Sequence, residues 1–161
     1  MSGDETKGTR DAADVRIPPP AFFLGAVVLG IVLHWAWALG FARDSSLRIA
    51  LGMAVICGGV AVLASAFSVF RRMGQDPDPR KPTPIIARDG PYRFTRNPMY
   101  LGVSLVQLGL GIALGNAWIV LLLIPAVVLI HYRAILPEER YLERKFGDEY
   151  ASFKASVRRW V

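Results

Sequence analysis

The chain has a single cysteine among its 161 residues, Cys57, and that cysteine sits inside an apolar run. A lone thiol excludes an internal disulfide, and a CxxC metal or redox pair is absent. Cys57 reads as a small hydrophobe in a packed helix. Internal repeats and low-complexity tracts are missing as well. So is a basic helix carrying base-reading residues, and the net charge of +6 therefore does not point to nucleic acid. The first residues lack the compact basic region and small-residue cleavage site of a leader peptide. No metal site is expected.

What the chain has in quantity is hydrocarbon. It is 53% hydrophobic yet 20% charged, with a mean hydropathy of +0.35. The two properties are segregated along the sequence. Apolar runs of about 18 or more residues read as transmembrane helices, because a slab of roughly 30 Å needs about 20 residues at 1.5 Å each. The expected fold is therefore all-α: a polytopic integral membrane protein with four transmembrane helices in two hairpins, followed by C-terminal helices in the cytosol.

Residues 1–20 form a polar tail of mixed charge ending in Pro18-Pro19-Pro20, and the remainder, 21–161, reads as one membrane-embedded domain. Span one covers about 21–42. Its one ionisable group, His34, lies beside Trp35 and Trp37 and reads first as a satisfied structural group. A reversal at Arg43–Leu47 leads to span two, about 47–70. There Ala50, Ala54 and Gly58, with Ala61 and Ser65, predict a small-residue packing seam. Residues 71–97 are too rich in proline for a helix over most of their length, and a loop this long is usually functional. Span three covers about 98–115, and span four about 117–136 with a kink at Pro125.

Pro137-Glu138-Glu139 predicts the start of a further helix, with Phe146-Gly147 as its C-terminal cap. A last amphipathic helix carries Tyr150, Phe153, Val157 and Trp160 and is expected to lie on the membrane interface. The 71–97 loop holds seven Lys/Arg and the segment after His131 seven more, while the opposite loops hold Arg43 and Arg48. The positive-inside rule then places both termini, the long loop and the C-terminal segment in the cytosol.

One stretch carries more than burial: DGPYRFTRNPMYLG, Asp89 to Gly102. Gly90-Pro91 sets a turn, Tyr92 and Tyr100 bracket Arg93 and Arg96, and Asn97-Pro98 opens the next apolar run. Composition leaves this open between a helix entry and a binding loop. Three polar groups are expected to converge on one face: the 84–100 loop, His131-Tyr132-Arg133 at the end of span four, and Glu138-Glu139. Carboxylates can hold an ammonium or a ribose, arginine can fork a carboxylate, and tyrosine faces can stabilise a cation such as a sulfonium.

These residues also carry a resemblance. GPYRFTRNPMYLG, then Glu138-Glu139 beginning 38 residues after Tyr100, then YLERKFGDEYASFKASV, resembles the isoprenylcysteine carboxyl methyltransferases and their phospholipid methyltransferase relatives. The family pattern is roughly G-x-Y-x-x-x-R-H-P-x-Y-x-G, a helical hairpin, E-E, and F-G-x-x-Y. The match covers about Pro84 to Val157.

The resemblance implies methyl transfer from S-adenosylmethionine, with S-adenosylhomocysteine as product, to a lipophilic substrate entering sideways from the bilayer. The acceptor would be an isoprenylcysteine-like carboxylate or a thiol. A phospholipid amine is the alternative; a nicotinamide-dependent reductase and a non-catalytic scaffold come behind it. Membrane lipids and the acceptor are the partners implied. Carried over by position, the cofactor would touch Pro84, Ile85, Ile86, Ala87, Tyr92, Asn97, Pro98, Met99, Tyr100 and Glu138. Arg133, Glu139 and Arg96 would serve the acceptor and its chemistry.

Two positions depart from the pattern. Asn97 stands where the family has histidine, and it hydrogen-bonds but carries no proton. The family's substrate-facing arginine falls on Ala134, with Arg133 beside it.

Overall fold

The computed structural model describes residues 17–41, 45–78, 81 and 84–160. The expected tail up to residue 16 and the middle of the first reversal, 42–44, lie outside the described residues. Among the described residues the chain is helical, with one isolated antiparallel bridge between Gly40 and Asn116.

Helix α1, Pro19–Ala36, starts on prolines, whose missing N–H groups would have no partner in a first turn. It ends where Trp37 becomes extended. Helix α2, Ser45–Arg72, buries Gly52, Gly59, Ala66 and Val69. Helix α3, Pro98–Leu114, lies along it. A Cβ on Gly52 would stand 2.5 Å from the backbone nitrogen of Ala113, and one on Gly59 would stand 2.8 Å from the carbonyl oxygen of Gly102. Gly109 of α3 answers with an equally close approach to the Gly52 carbonyl, 2.6 Å. In hydrocarbon, burying a side chain against protein gains little over burying it in lipid, so backbone approach and packing decide which faces meet.

The seam is therefore not the expected one. Ala50, Ala54, Gly58, Ala61 and Ser65 are all exposed, and Gly58 faces open space. The repeat that wins is Gly52-Gly59-Ala66, seven residues apart, because only that face meets glycines on α3.

Gly115, in the left-handed region at φ 65°, ends α3. Asn116 then caps α4, Ala117–Leu121, accepting from the backbone N–H groups of Trp118 and Ile119 at 3.0 and 3.3 Å. Its Nδ2 donates to the Gly30 carbonyl of α1 at 3.1 Å, and Gln107 Nε2 of α3 donates to the Ile119 carbonyl at 3.0 Å. These buried amides fix three helices to one another where no water competes.

Helix α5, Leu123–Ile130, follows a break at Leu122, whose ψ is −8°. The distortion falls one turn before Pro125, because proline offers no N–H to the carbonyl four residues back. A π-turn, His131–Ile135, leads without interruption into α6, Leu136–Phe146. The expected fourth span and the following helix are thus one rod. The wide turn reconciles Pro137 with helix continuation: the Leu136 N–H reaches back five residues to the His131 carbonyl. Gly147, at φ 51°, separates α6 from α7, Asp148–Ser156.

Three helices are long and apolar enough to cross a bilayer: Pro19–Ala36, Ser45–Arg72 and the rod Ala117–Phe146. The apolar part of that rod ends at about Leu136. Pro98–Leu114 is a shorter apolar helix. Helix α1 has its main contacts with α4 and α5, not with its expected partner α2. Phe23 of α1 packs with Ala126, Ile130, Ala134, Ile135 and Tyr141 in the largest buried cluster.

Candidate active site

The segment between α2 and α3 folds back over the end of the bundle. Gly90, at φ 57°, enters a 3-10 turn, Gly90–Arg93, that buries Tyr92 against Ala66, Val69 and Ala87. The phenol ring meets Phe70 edge-on at 5.8 Å.

Beyond this turn the Arg96-Asn97-Pro98 corner is stitched to the C-terminal strap, residues 157–160. The Arg96 backbone N–H donates to the Arg158 carbonyl at 2.9 Å. Thr95 Oγ1 and Asn97 Nδ2 both donate to the Arg159 carbonyl, at 3.1 and 2.9 Å. Asn97 thus stands at the start of α3, but its side chain does not cap the helix; it holds the strap. The strap begins because the last helix stops at Ser156 and Val157 is extended. Tyr150 and Phe153 do not rest on a membrane surface. They are buried with Ile86, and Arg88 stacks over Phe153 at 5.6 Å while bonding the carboxylate of Glu149 at 3.1 Å.

The two glutamates of α6 point to different surroundings. Glu139 is buried and takes a two-pronged bond from Arg159, Nε to Oε1 at 2.9 Å and Nη2 to Oε2 at 2.8 Å. Arg96 Nη1 lies 3.0 Å from Glu139 Oε1 but off the hydrogen-bonding direction, and Arg96 Nε has no hydrogen-bond partner. Glu138 turns the other way and accepts a bond from the Tyr100 hydroxyl at 3.3 Å. Burial pushes the Glu138 carboxyl up to about 7, opposed by the Tyr100 bond and reinforced by the charge of Glu139. Burial also raises the Tyr92 phenol, with the Glu138 charge adding to it.

Glu138 lines a cavity with two lobes. The larger, about 450 Å³, is walled on its apolar side by Pro18 and by Pro19, Pro20 and Phe23 of α1, by Leu63, Phe67 and Phe70 of α2, and by Val103 of α3. Its floor is Asn97, Pro98, Met99 and Tyr100. The smaller, about 60 Å³, is bounded by Ile86, Ala87, Leu142, Tyr150 and Phe153. Both lobes share a waist formed by Asp76 to Asp78, Tyr92, Arg96 and Glu138.

Of the expected cofactor residues, Ile86 and Ala87 face the small lobe, Asn97 to Tyr100 the large one, and Tyr92 and Glu138 both. Pro84 and Ile85 are exposed and line neither. Arg96 lies at the waist. Glu139 is committed to two arginines. Arg133 is exposed and outside the cavity walls, because the π-turn buries Ala134 and Ile135 and turns Arg133 outward. The His131-Tyr132-Arg133 group thus does not converge with the rest; Tyr132 is 63% exposed. His34 is not among the lining residues either. Sequence reasoning missed Asp76 and Asp78, whose only signal was their place in the proline-rich loop, and Phe23, Phe67 and Phe70, which look like any lipid-facing residue.

A family model described as phospholipid methyltransferase matches residues 47–149. An uncharacterized protein of Haemophilus influenzae is 44% identical over 63 residues, which are 39% of this chain and 100% of that protein. A protein-S-isoprenylcysteine O-methyltransferase of Schizosaccharomyces pombe is 33% identical over 73 residues, 45% of this chain. The chain spans only 31% of that enzyme's length. No solved structure matches. The matched segment runs from the start of α2 into α7 and so contains the 3-10 turn, the Arg96-Asn97-Pro98 corner, both glutamates and the whole cavity waist: the chain belongs to the phospholipid methyltransferase family.

Proposed function

We propose that the protein transfers a methyl group from S-adenosylmethionine to a lipid-borne acceptor that enters the large lobe from the bilayer. The observation that carries this is the cavity itself. One end is apolar and lies between α1 and α2, which are not principal packing partners. The other end is polar and holds the half-buried carboxylate of Glu138 beside two tyrosines. A volume of about 450 Å³ falls within the usual small-molecule range of about 300–1,000 Å³, whereas the small lobe is too tight to hold a nucleoside without moving its walls.

The residues at the waist suit the cofactor. Glu138 and the faces of Tyr92 and Tyr100 suit a cation, and the unpartnered Arg96 Nε suits the carboxylate of an amino-acid moiety. Ile86 and Ala87 offer apolar surface to a base. S-adenosylmethionine, when bound, supplies a methyl group already activated on a sulfonium. The protein's part is then to align the acceptor, exclude water and manage a proton. The apolar lobe does the first two; Glu138 stands where it can do the third.

The charges at the waist favour an amine acceptor. Asp76, Asp78 and Glu138 line it, Arg96 sits against Glu139, and Arg133 is outside. Asp76 is exposed and ion-paired with Lys81, so a cationic head group would meet Glu138 first, while an anionic one would have Arg96 alone. Arg96 Nε is the specific observation on the side of a carboxylate acceptor, the chemistry named in the Schizosaccharomyces pombe relative.

The protein is read as four spans with both termini and the site in the cytosol, from the distribution of Lys and Arg. Calorimetric titration of the detergent-solubilised chain with S-adenosylhomocysteine and with NADPH tests the cofactor. Heat is expected with the first alone, and in the same titration with S-adenosylmethionine Glu138→Gln should weaken binding by roughly 1.5–3 kcal/mol. Heat with NADPH alone would replace the reading with a reductase, and heat with neither would favour a scaffold.

A further inference from the structure

We infer that Glu138 is the proton acceptor for an ammonium head group held at the waist between the two lobes, an inference that rests on the amine-acceptor reading above. An ammonium has no lone pair and must give up a proton before its nitrogen can attack a methyl group. The step is simple to balance. The ammonium R–NH₃⁺ and the Glu138 carboxylate become the amine R–NH₂ and the carboxylic acid, and the acid returns its proton to water when product leaves.

Placement is the first argument. Glu138 borders both lobes, so its carboxylate lies where acceptor and cofactor must meet. The second is that this carboxylate is kept available. The arginines beside it, Arg96 and Arg159, are directed to Glu139, and the described bond to Glu138 is the single donation from Tyr100. Adjacent carboxylates in unlike environments commonly divide a structural and a chemical role.

The groups around Glu138 are Tyr100 from α3, Tyr92 from the 3-10 turn, Arg96 from the corner, Tyr150 from α7 and its own neighbour Glu139, with Asp76, ion-paired to Lys81, and Asp78 from the loop lining the same waist. Asp76 is ion-paired with Lys81, and Glu139 with Arg159 and Arg96, so the charge of Glu138 is the one set beside Tyr100 and Tyr92. Burial supports the same role, because a carboxyl titrating at about 7 is far nearer to an amine, which titrates near 10 in water, than an ordinary glutamate is.

The test uses the purified full chain with phosphatidylethanolamine as acceptor and kcat measured against pH. S-adenosylhomocysteine affinity is measured for each variant, so that every assay runs at saturating cofactor. The wild-type rate should rise through an inflection near neutrality and level off by about pH 8. Glu138→Gln should lose about 100-fold or more, and its residual rate should keep rising towards the amine's own pKa. Tyr100→Phe removes a donor to the charged form, so its inflection should move to higher pH.

A second readout needs no turnover. At pH 6, where Glu138 is mostly protonated, dodecylamine binding in two buffers of different ionisation heat should release about one proton per amine from the wild type and none from Glu138→Gln. Methylation of the amine with an unchanged pH profile in Glu138→Gln would overturn the inference alone, as would equal proton release. No amine methylation by the wild type, with a long-chain thiol or carboxylate methylated instead, would overturn the amine reading itself.

Discussion

Glu139 and Arg159 lie twenty residues apart in sequence and meet in a two-pronged ion pair, with both bonds under 3 Å and the glutamate side chain 7% exposed. Through it the strap, the Arg96-Asn97 corner and α6 become one unit. Arg159→Ala should lower stability by about 1–3 kcal/mol, the range for a hydrogen bond to a charged group, with solvent at the arginine moderating it. Glu139→Gln should cost more, about 3–5 kcal/mol, since it leaves two arginines against a neutral side chain. Denaturant unfolding in detergent ranks the two. The reverse order would mean that Arg96 does not depend on Glu139.

The same helix gives a pH signature. Glu138 titrates at about 7 in the folded chain and at about 4.5 unfolded, so the folded state holds the extra proton between those values. Its contribution is fully present below about 4.5 and is lost as pH rises through about 7, on the order of 3 kcal/mol in total. Thermal unfolding from pH 5 to 8 should show the wild type weakening through this window and Glu138→Gln flattening the slope. An equal slope in both proteins would place the titrating group elsewhere.

Two adjacent glycines separate the packed face of α2 from the lipid face. Gly59→Ala drives a methyl into the Gly102 carbonyl and the Val106 backbone nitrogen, at 2.8 and 2.9 Å, and should destabilise by about 1–3 kcal/mol. Gly58→Ala meets nothing within 4 Å and should be neutral or slightly stabilising. Melting temperatures of the two variants decide it, and a fall for Gly58→Ala would show that the exposed stripe is covered in the membrane.

The long helices were legible because length and apolar content alone specify them. Which face of α2 meets α3 was not. Small residues stripe both faces, and only the positions of Gly102 and Gly109 on the partner decide between them. The waist was half legible: the tyrosines, Arg96 and Glu138 stood out through the family resemblance, while composition left the stretch open between a helix entry and a binding loop. The strap did not, because Thr95 and Asn97 bind a backbone carbonyl of Arg159 that any residue would offer. Arg133 was misplaced for a related reason: a π-turn changes the register by one residue and leaves no mark in the sequence pattern.

Topology has a direct check. In a Cys57→Ala background, a cysteine introduced as Ser45→Cys should react with an impermeant reagent in intact cells, and one introduced as Ser152→Cys should not. The opposite pattern would put the cavity waist on the outer face and overturn the cytosolic assignment.

The central claim is methyl transfer to a lipid, and label transfer tests it most directly. The purified chain is incubated with S-adenosylmethionine tritiated in its methyl group and with a total membrane lipid extract, and the organic phase is counted and separated. The label is expected in an amine-bearing lipid and should be strongly reduced with Glu138→Gln. An organic phase without label, from protein shown to bind S-adenosylhomocysteine, would contradict the account.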